Sequence, residues 1–169
     1  MIITLLRTVG FTAALVMAGA ACADETAFLK SLSGNWSGKG AVKVRVDAPT
    51  FNVTCNFKSD TSATSLALNG RCTSLAIFSR SISANLKTQG SSYSGSYVGA
   101  GTGTAGLAGK RGGDAIKLAI RWAKEVNGDR QAQMTIEKIG ASGMRLTTID
   151  TDPSSGKAVV TSRIDLHRL

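Results

Sequence analysis

Histidine is nearly missing from this chain: His167 is the only one in 169 residues. A lone imidazole excludes a multi-histidine metal site. It also leaves a Ser-His-Asp triad resting on one residue near the C-terminus, with Asp165 on its strand face and no nucleophile-elbow motif anywhere. Acids are scarce too, with 11 Asp and Glu against 20 Lys and Arg. Glu125 and Asp129 flank one turn, and Asp150 and Asp152 open the run Asp150-Thr151-Asp152-Pro153-Ser154-Ser155-Gly156. Both clusters read as turn chemistry rather than as two carboxylates facing across a glycosidase cleft. A complete calcium loop is lacking. Aromatic residues make up 5% of the chain, which argues against the aromatic girdles of an outer-membrane barrel. No dense basic run has interleaved aromatics, so nucleic acid is a poor partner. No reaction, metal or cofactor is implied, and the expectation is a protein that is not an enzyme.

Cysteine is also sparse, and its three positions depend on the N-terminus. Met1–Arg7 holds one positive side chain, Thr8–Met17 is mostly apolar, and Ala21-Cys22-Ala23 precedes Asp24-Glu25. That order is a secretory signal peptide over residues 1–23, with an apolar run too short to be a permanent transmembrane span. The expected location is the periplasm or the secreted space. An alternative takes Gly19-Ala20-Ala21-Cys22 as a lipoprotein signal anchored through Cys22. Either reading leaves Cys55 and Cys72 as a pair, and an oxidising compartment predicts a disulfide between them. If they face each other in a hairpin, Phe57 lies opposite Gly70 and Val53 opposite Ser74, with the turn centred between Ala63 and Thr64.

Removing residues 1–23 lowers the net charge from +9 to +8. Such a surface favours anionic surroundings, and in an exported protein these are envelope components. Candidate anion-binding residues are Lys43, Arg45, Lys117, Arg121 and Lys124.

Residues 24–169 show no break into two domains. Glu25–Leu32 is expected to make a helical turn or two. Beyond it, alternating segments separated by Gly, Ser, Asn and Asp continue to the end. Val42, Val44 and Val46 share a face, as do Phe51, Val53, Cys55 and Phe57. Ile116, Leu118, Ile120 and Trp122 form the strongest stripe, and Val126-Asn127-Gly128-Asp129 is a hairpin turn. About nine or ten strands result from this alternation. The pattern predicts an all-β, antiparallel up-and-down meander closed into a small soluble barrel, since closure removes exposed edges. The Gly-rich stretch Gly95–Gly113 lacks both a βαβ context and a following Lys-Ser, so it is not a phosphate cradle. Its glycines suit bulges, coiling or close strand approach.

The segment Leu32-Ser33-Gly34-Asn35-Trp36 resembles the opening of the calycin-type barrels, which include lipocalins and avidins. The resemblance implies that Trp36 plugs the closed end, with Arg163 or Arg168 packed over its indole. The same opening, together with a disulfide in the first strands, is similar to the small bacterial metalloprotease inhibitors of the periplasm. There an N-terminal trunk enters the protease, a role Asp24–Lys30 would take here.

Two classes of function follow. The first is a binding protein, with either a small apolar ligand inside the barrel or an anionic envelope component on the basic face. Tyr93, Tyr97, Leu118, Ile120, Trp122 and Met134 are the expected ligand-lining residues, joined by Val42, Val44, Phe51 and Val53. The second is a protein-directed inhibitor or interaction module.

Overall fold

The computed structural model describes residues 18–74, 78–99 and 101–169. Helix α1 (Ala18–Leu32) leads into ten strands: β1 (Gly34–Lys43), β2 (Thr50–Thr61), β3 (Ser65–Ser74), β4 (Phe78–Gln89) and β5 (Ser92–Val98), then β6 (Ala105–Gly112), β7 (Ala115–Val126), β8 (Asp129–Ile139), β9 (Gly143–Thr151) and β10 (Ala158–Arg168). Every strand pairs antiparallel with its chain neighbour, and β10 returns to β1 to close the barrel. The closing seam runs from Trp36 opposite Arg168 to Val42 opposite Ser162. The helix begins before the turn or two expected at Glu25–Leu32. Of the segment read as a signal peptide, residues 1–17 lie outside the described residues.

The period-2 pattern explains these strands. On β2, Val53, Cys55, Phe57 and Ser59 are buried while Thr54, Asn56 and Lys58 are exposed. On β7, Ile116, Leu118, Ile120 and Trp122 enter the core while Lys117 and Arg121 stand outside. Cys55 and Cys72 are direct cross-strand partners and form a disulfide, with Phe57 opposite Gly70 in the same ladder. At Gly70 a methyl group would stand 2.2 Å from the Phe57 ring, so the missing side chain is the space the ring occupies. At Gly95, in the Gly-rich stretch, a methyl group would lie 1.9 Å from the Asn85 carbonyl oxygen of β4. Only glycine permits that approach, and it lets the sheet coil tightly enough to close. Asn127 and Gly128 both take positive φ, 55° and 94°, as the two-residue β7–β8 turn requires.

One end of the barrel is sealed, and we call it the base. Phe28, Leu29 and Leu32 of α1 are buried there with Trp36. The opposite end, the mouth, carries the β1–β2, β3–β4, β5–β6, β7–β8 and β9–β10 connections.

Candidate functional site: the mouth of the barrel

The base is built for permanence. The Trp36 indole N–H donates to the Leu32 carbonyl at 3.1 Å. The Arg168 guanidinium lies 4.3 Å over the same ring and donates to the carbonyls of Ser31, at 2.6 Å, and Ser33. It therefore stacks on the plug and caps the C-terminal end of α1, where free carbonyls favour a cation. Arg163 has no part in this plug. It points outward beside Asp165, because its position on β10 is odd-numbered and the inward residues are Ser162, Ile164, Leu166 and Arg168.

A second lock joins α1 to the far wall. Glu25, a buried carboxylate, accepts from the Tyr93 hydroxyl and from Arg111 Nε at 2.9 Å. Arg111 also pairs with Asp24 and sits 4.7 Å over the Phe28 ring. Burial, reinforced by the neighbouring Glu25 carboxylate, pushes the Tyr93 phenol well above its ordinary pKa. None of these partners is legible from spacing, since Glu25 and Arg111 are 86 residues apart. Asp24–Lys30 is accordingly part of a packed helix rather than a free trunk.

Toward the mouth, among the described residues, a cavity of about 40 Å³ is walled by Phe57, Leu68, Tyr97, Met134, Leu146 and Ile164 among others. That is room for a few waters and far below the roughly 300–1,000 Å³ of small-molecule sites. Tyr97 and Met134 line it. Tyr93 belongs to the base lock instead, and Leu118, Ile120 and Trp122 are core residues outside its wall.

Beside the cavity is a corner with unusual polarity. Tyr97 stands opposite Ala105, and the next residue, Gly106, stands opposite Arg121. The small Ala105 thus lets the Tyr97 and Trp122 rings meet edge-on across β6, with centroids 6.0 Å apart. Trp122 is buried and its indole N–H has no partner. The Thr102 hydroxyl of the β5–β6 connection is also buried and unpartnered. Ser59 is the third such group among the described residues. Arg80 reaches the same connection, donating to the Gly99 carbonyl at 3.1 Å. A methyl group at Gly99 would lie 2.4 Å from the Tyr97 hydroxyl oxygen, which puts that oxygen against the same loop. Burial raises the Tyr97 pKa, with Arg80 opposing it.

The rim differs again. Phe51 has the inward phase of β2 and Val44 follows the last residue of β1 in the same phase, which made them expected lining residues, yet they are 40% and 69% exposed because both strands end at the mouth. Phe78, at the start of β4, is 68% exposed and was not singled out by periodicity. Exposed Val160 opens the same end of β10. Val42 pairs with both Phe51 and Ser162, and the bulge between Val160 and Ser162 turns Val160 to the outer face. The Ser74 hydroxyl donates to the Asn52 carbonyl at 2.9 Å, and Ser74 pairs with Phe78, which carries the arc on to β4.

Lys43, Arg45 and Arg80 stand near these side chains, with Asp47, paired to Arg45 at 2.7 Å, as the one carboxylate in the β1–β2 connection. Lys117 and Arg121 do not join them, because β7 is separated from β1 by β8, β9 and β10. The β7–β8 turn meets the β1–β2 connection, where Asn127 Oδ1 accepts from the Val46 N–H at 3.1 Å. Asn127 also donates to the buried Asp150 carboxylate at 2.6 Å, so that acid ties turns together. His167 is exposed on the outer face, opposite Ser37. No three His, Cys, Asp or Glu side chains come together as a metal site among the described residues. None of the described helices is long and apolar enough to cross a membrane.

No protein-family model matches the chain, and no curated protein matches it. Among solved structures, the Mycobacterium tuberculosis protein Rv2717c superposes with a TM-score of 0.65 at 17% identity, covering 83% of this chain and 94% of its own. At that identity the likeness concerns the fold: a closed, ten-stranded antiparallel barrel.

Proposed function

We propose that this protein is a non-enzymatic, exported binding protein whose barrel mouth docks on an anionic lipid surface of the cell envelope. The supporting observation is the coincidence, at the mouth ends of β1, β2 and β4, of exposed Val44, Phe51 and Phe78 with Lys43, Arg45 and Arg80. Apolar side chains entering the headgroup boundary beside cations facing anionic headgroups is how peripheral proteins hold membranes. Each such cation contributes about 1 kcal/mol near the surface. The small cavity favours this surface reading over a ligand wholly inside the barrel. The Gly34-Asn35-Trp36 opening with Arg168 over the indole supports placing the barrel in the calycin type.

Sedimentation with vesicles tests the docking. Binding is expected to phosphatidylglycerol-containing vesicles but not to pure phosphatidylcholine, and to be lost as salt rises to about 0.5 M. Phe51→Ser with Phe78→Ser is expected to weaken binding by about tenfold or more, with the melting temperature unchanged. Absence of binding, or binding indifferent to these changes, overturns the proposal. A concentration-dependent rise in mass without vesicle binding would assign the rim to a second copy instead. Intact mass of the protein from its own envelope tests export: a chain starting at Asp24 supports it. Acylation at Cys22 would tether the base end, beside Asp24 and Arg111, and so turn the mouth away from that membrane.

A further inference from the structure

We propose that the outer wall over β4–β7 is a docking surface for an acidic polysaccharide chain. The inference is independent of lipid docking, because it rests on outward residues of the wall and on none of the side chains at the mouth.

Cross-strand register carries the argument. Lys110 of β6 stands directly opposite Lys117 of β7, which sets their Cβ atoms about 5 Å apart. Like charges in that position repel and destabilise a sheet. On their other sides Lys110 faces Ser92 and Lys117 faces Thr135, so neither neighbouring strand brings a carboxylate opposite them. Arg121 lies farther along β7, about 13 Å from Lys117, between Gly106 and Gln131. Lys87 of β4 stands opposite Ser94 of β5. All four cations are exposed, and among the described residues none has an ion-pair partner. Acids stay at the ends and margin of this wall: Asp114 is in the β6–β7 turn, and Glu125 and Asp129 flank the β7–β8 turn. Glu137 of β8 stands opposite Ala115 and is paired with Arg145 at 4.0 Å.

The far side of the barrel matches its charges within the sheet. Arg145 of β9 is opposite Glu137 on one side and Asp165 on the other, and pairs with both. Lys39 of β1 also stands opposite Asp165. The β4–β7 wall has no such internal answer, and an anion from outside supplies it.

What lies between the cations sets the class of anion. Ser94, Ala108 and Ala119 form one cross-strand row and are exposed. They make a shallow floor of short side chains bounded by Lys87, Lys110, Lys117 and Arg121. No exposed large apolar side chain stands on that floor to enter a lipid layer. The aromatic rings of these strands point inward, which leaves no stacking platform for bases. Each strand of the closed barrel is paired on both sides, so an extended peptide has no free edge to join. Sugar rings can lie over small side chains. Their hydroxyls would meet Ser94 and Gln133, which continues the row on β8, and their carboxylates would meet the four cations.

Binding of the protein to immobilised polygalacturonate tests this, with neutral dextran and double-stranded DNA as controls. Polygalacturonate is expected to bind and to be released as salt rises. Dextran should not bind, and DNA should bind more weakly. Lys110→Glu puts an acid opposite Lys117. It should weaken polygalacturonate binding about tenfold or more, while the melting temperature holds or rises because the repulsion is gone. Lys58→Glu, on the outer face of β2, changes the net charge equally and should have little effect. Phe51→Ser with Phe78→Ser, which tests lipid docking, should leave this binding intact. Absence of binding, binding untouched by Lys110→Glu, equal weakening by Lys58→Glu, or DNA held as tightly overturns the proposal.

Discussion

At the base, Trp36 is 1% exposed, hydrogen-bonded to α1 and covered by Arg168; at the mouth, Phe78 keeps 68% of its surface in solvent. Both are large aromatic residues on strands of the same barrel. The difference is what meets them. The base has a helix to bring in Phe28, Leu29 and Leu32, and two arginines whose charges are taken up by carbonyls and by Glu25 and Asp24. Among the described residues the mouth has only the strand ends and their connections, so the inward phase of Val44 and Phe51 points past the last closed layer. Burial in a barrel therefore depends on height along the axis as well as on alternation.

The sharpest way to break the comparison is to truncate one aromatic at each end. Trp36→Ala is expected to cost about 3–5 kcal/mol, read as a lower midpoint in denaturant. Phe78→Ala is expected to stay within about 0.5 kcal/mol. Equal losses would mean that the rim is structural after all.

Next comes the disulfide, which pins β2 to β3 midway between the two ends. Replacing both Cys55 and Cys72 with Ser is expected to cost about 3 kcal/mol, as closing a loop of 17 residues implies. Titration with a thiol reagent checks the bond itself: the native chain should show no reactive thiol from this pair until reductant is added.

The smallest effect is one of pH, and it compares the ends through the only two tyrosines, Tyr93 at the base and Tyr97 near the mouth. Burial raises the pKa of both. The folded state thus keeps protons that the unfolded state releases above about pH 10. Stability is fully present below that pH and falls as pH climbs beyond it, because the unfolded chain then binds fewer protons. Ultraviolet absorbance should show neither phenol ionising with an ordinary midpoint while the barrel is intact. Ionisation should coincide with loss of the folded circular dichroism signal. A tyrosine titrating normally in the folded chain would remove that end's claim to burial.

Much of the barrel was legible in the chain. Alternation alone separated Lys117 and Arg121 from Leu118 and Ile120, Asn127-Gly128 marked its turn, and two cysteines with one hairpin register placed Phe57 opposite Gly70. Less of the candidate site was legible. Lys43 and Arg45 were read together with Lys117 and Arg121, although β8, β9 and β10 separate them around the barrel, because one-dimensional charge counting has no circumference. Phe78 escaped notice because Ser79 and Ser81 follow it and no apolar stripe announces it. Leu118, Ile120 and Trp122 were expected to line a ligand and are core residues instead, and nothing in their spacing shows that the Trp122 indole N–H goes unpaired.

The chain by itself determined what depends on neighbours in sequence or on one repeated rule: about nine or ten alternating strands, their antiparallel order, the hairpin that joins the cysteines, and a positive net charge. Tertiary structure decided what depends on closure. Only closing β10 onto β1 brings Arg168 over Trp36, and only the plugged base brings Glu25 to Arg111 and Tyr93. Closure also fixes which inward positions are sealed, which reach the rim, and which donors are left without acceptors. These are relations between residues far apart in the chain, and periodicity, being local, carries no record of them.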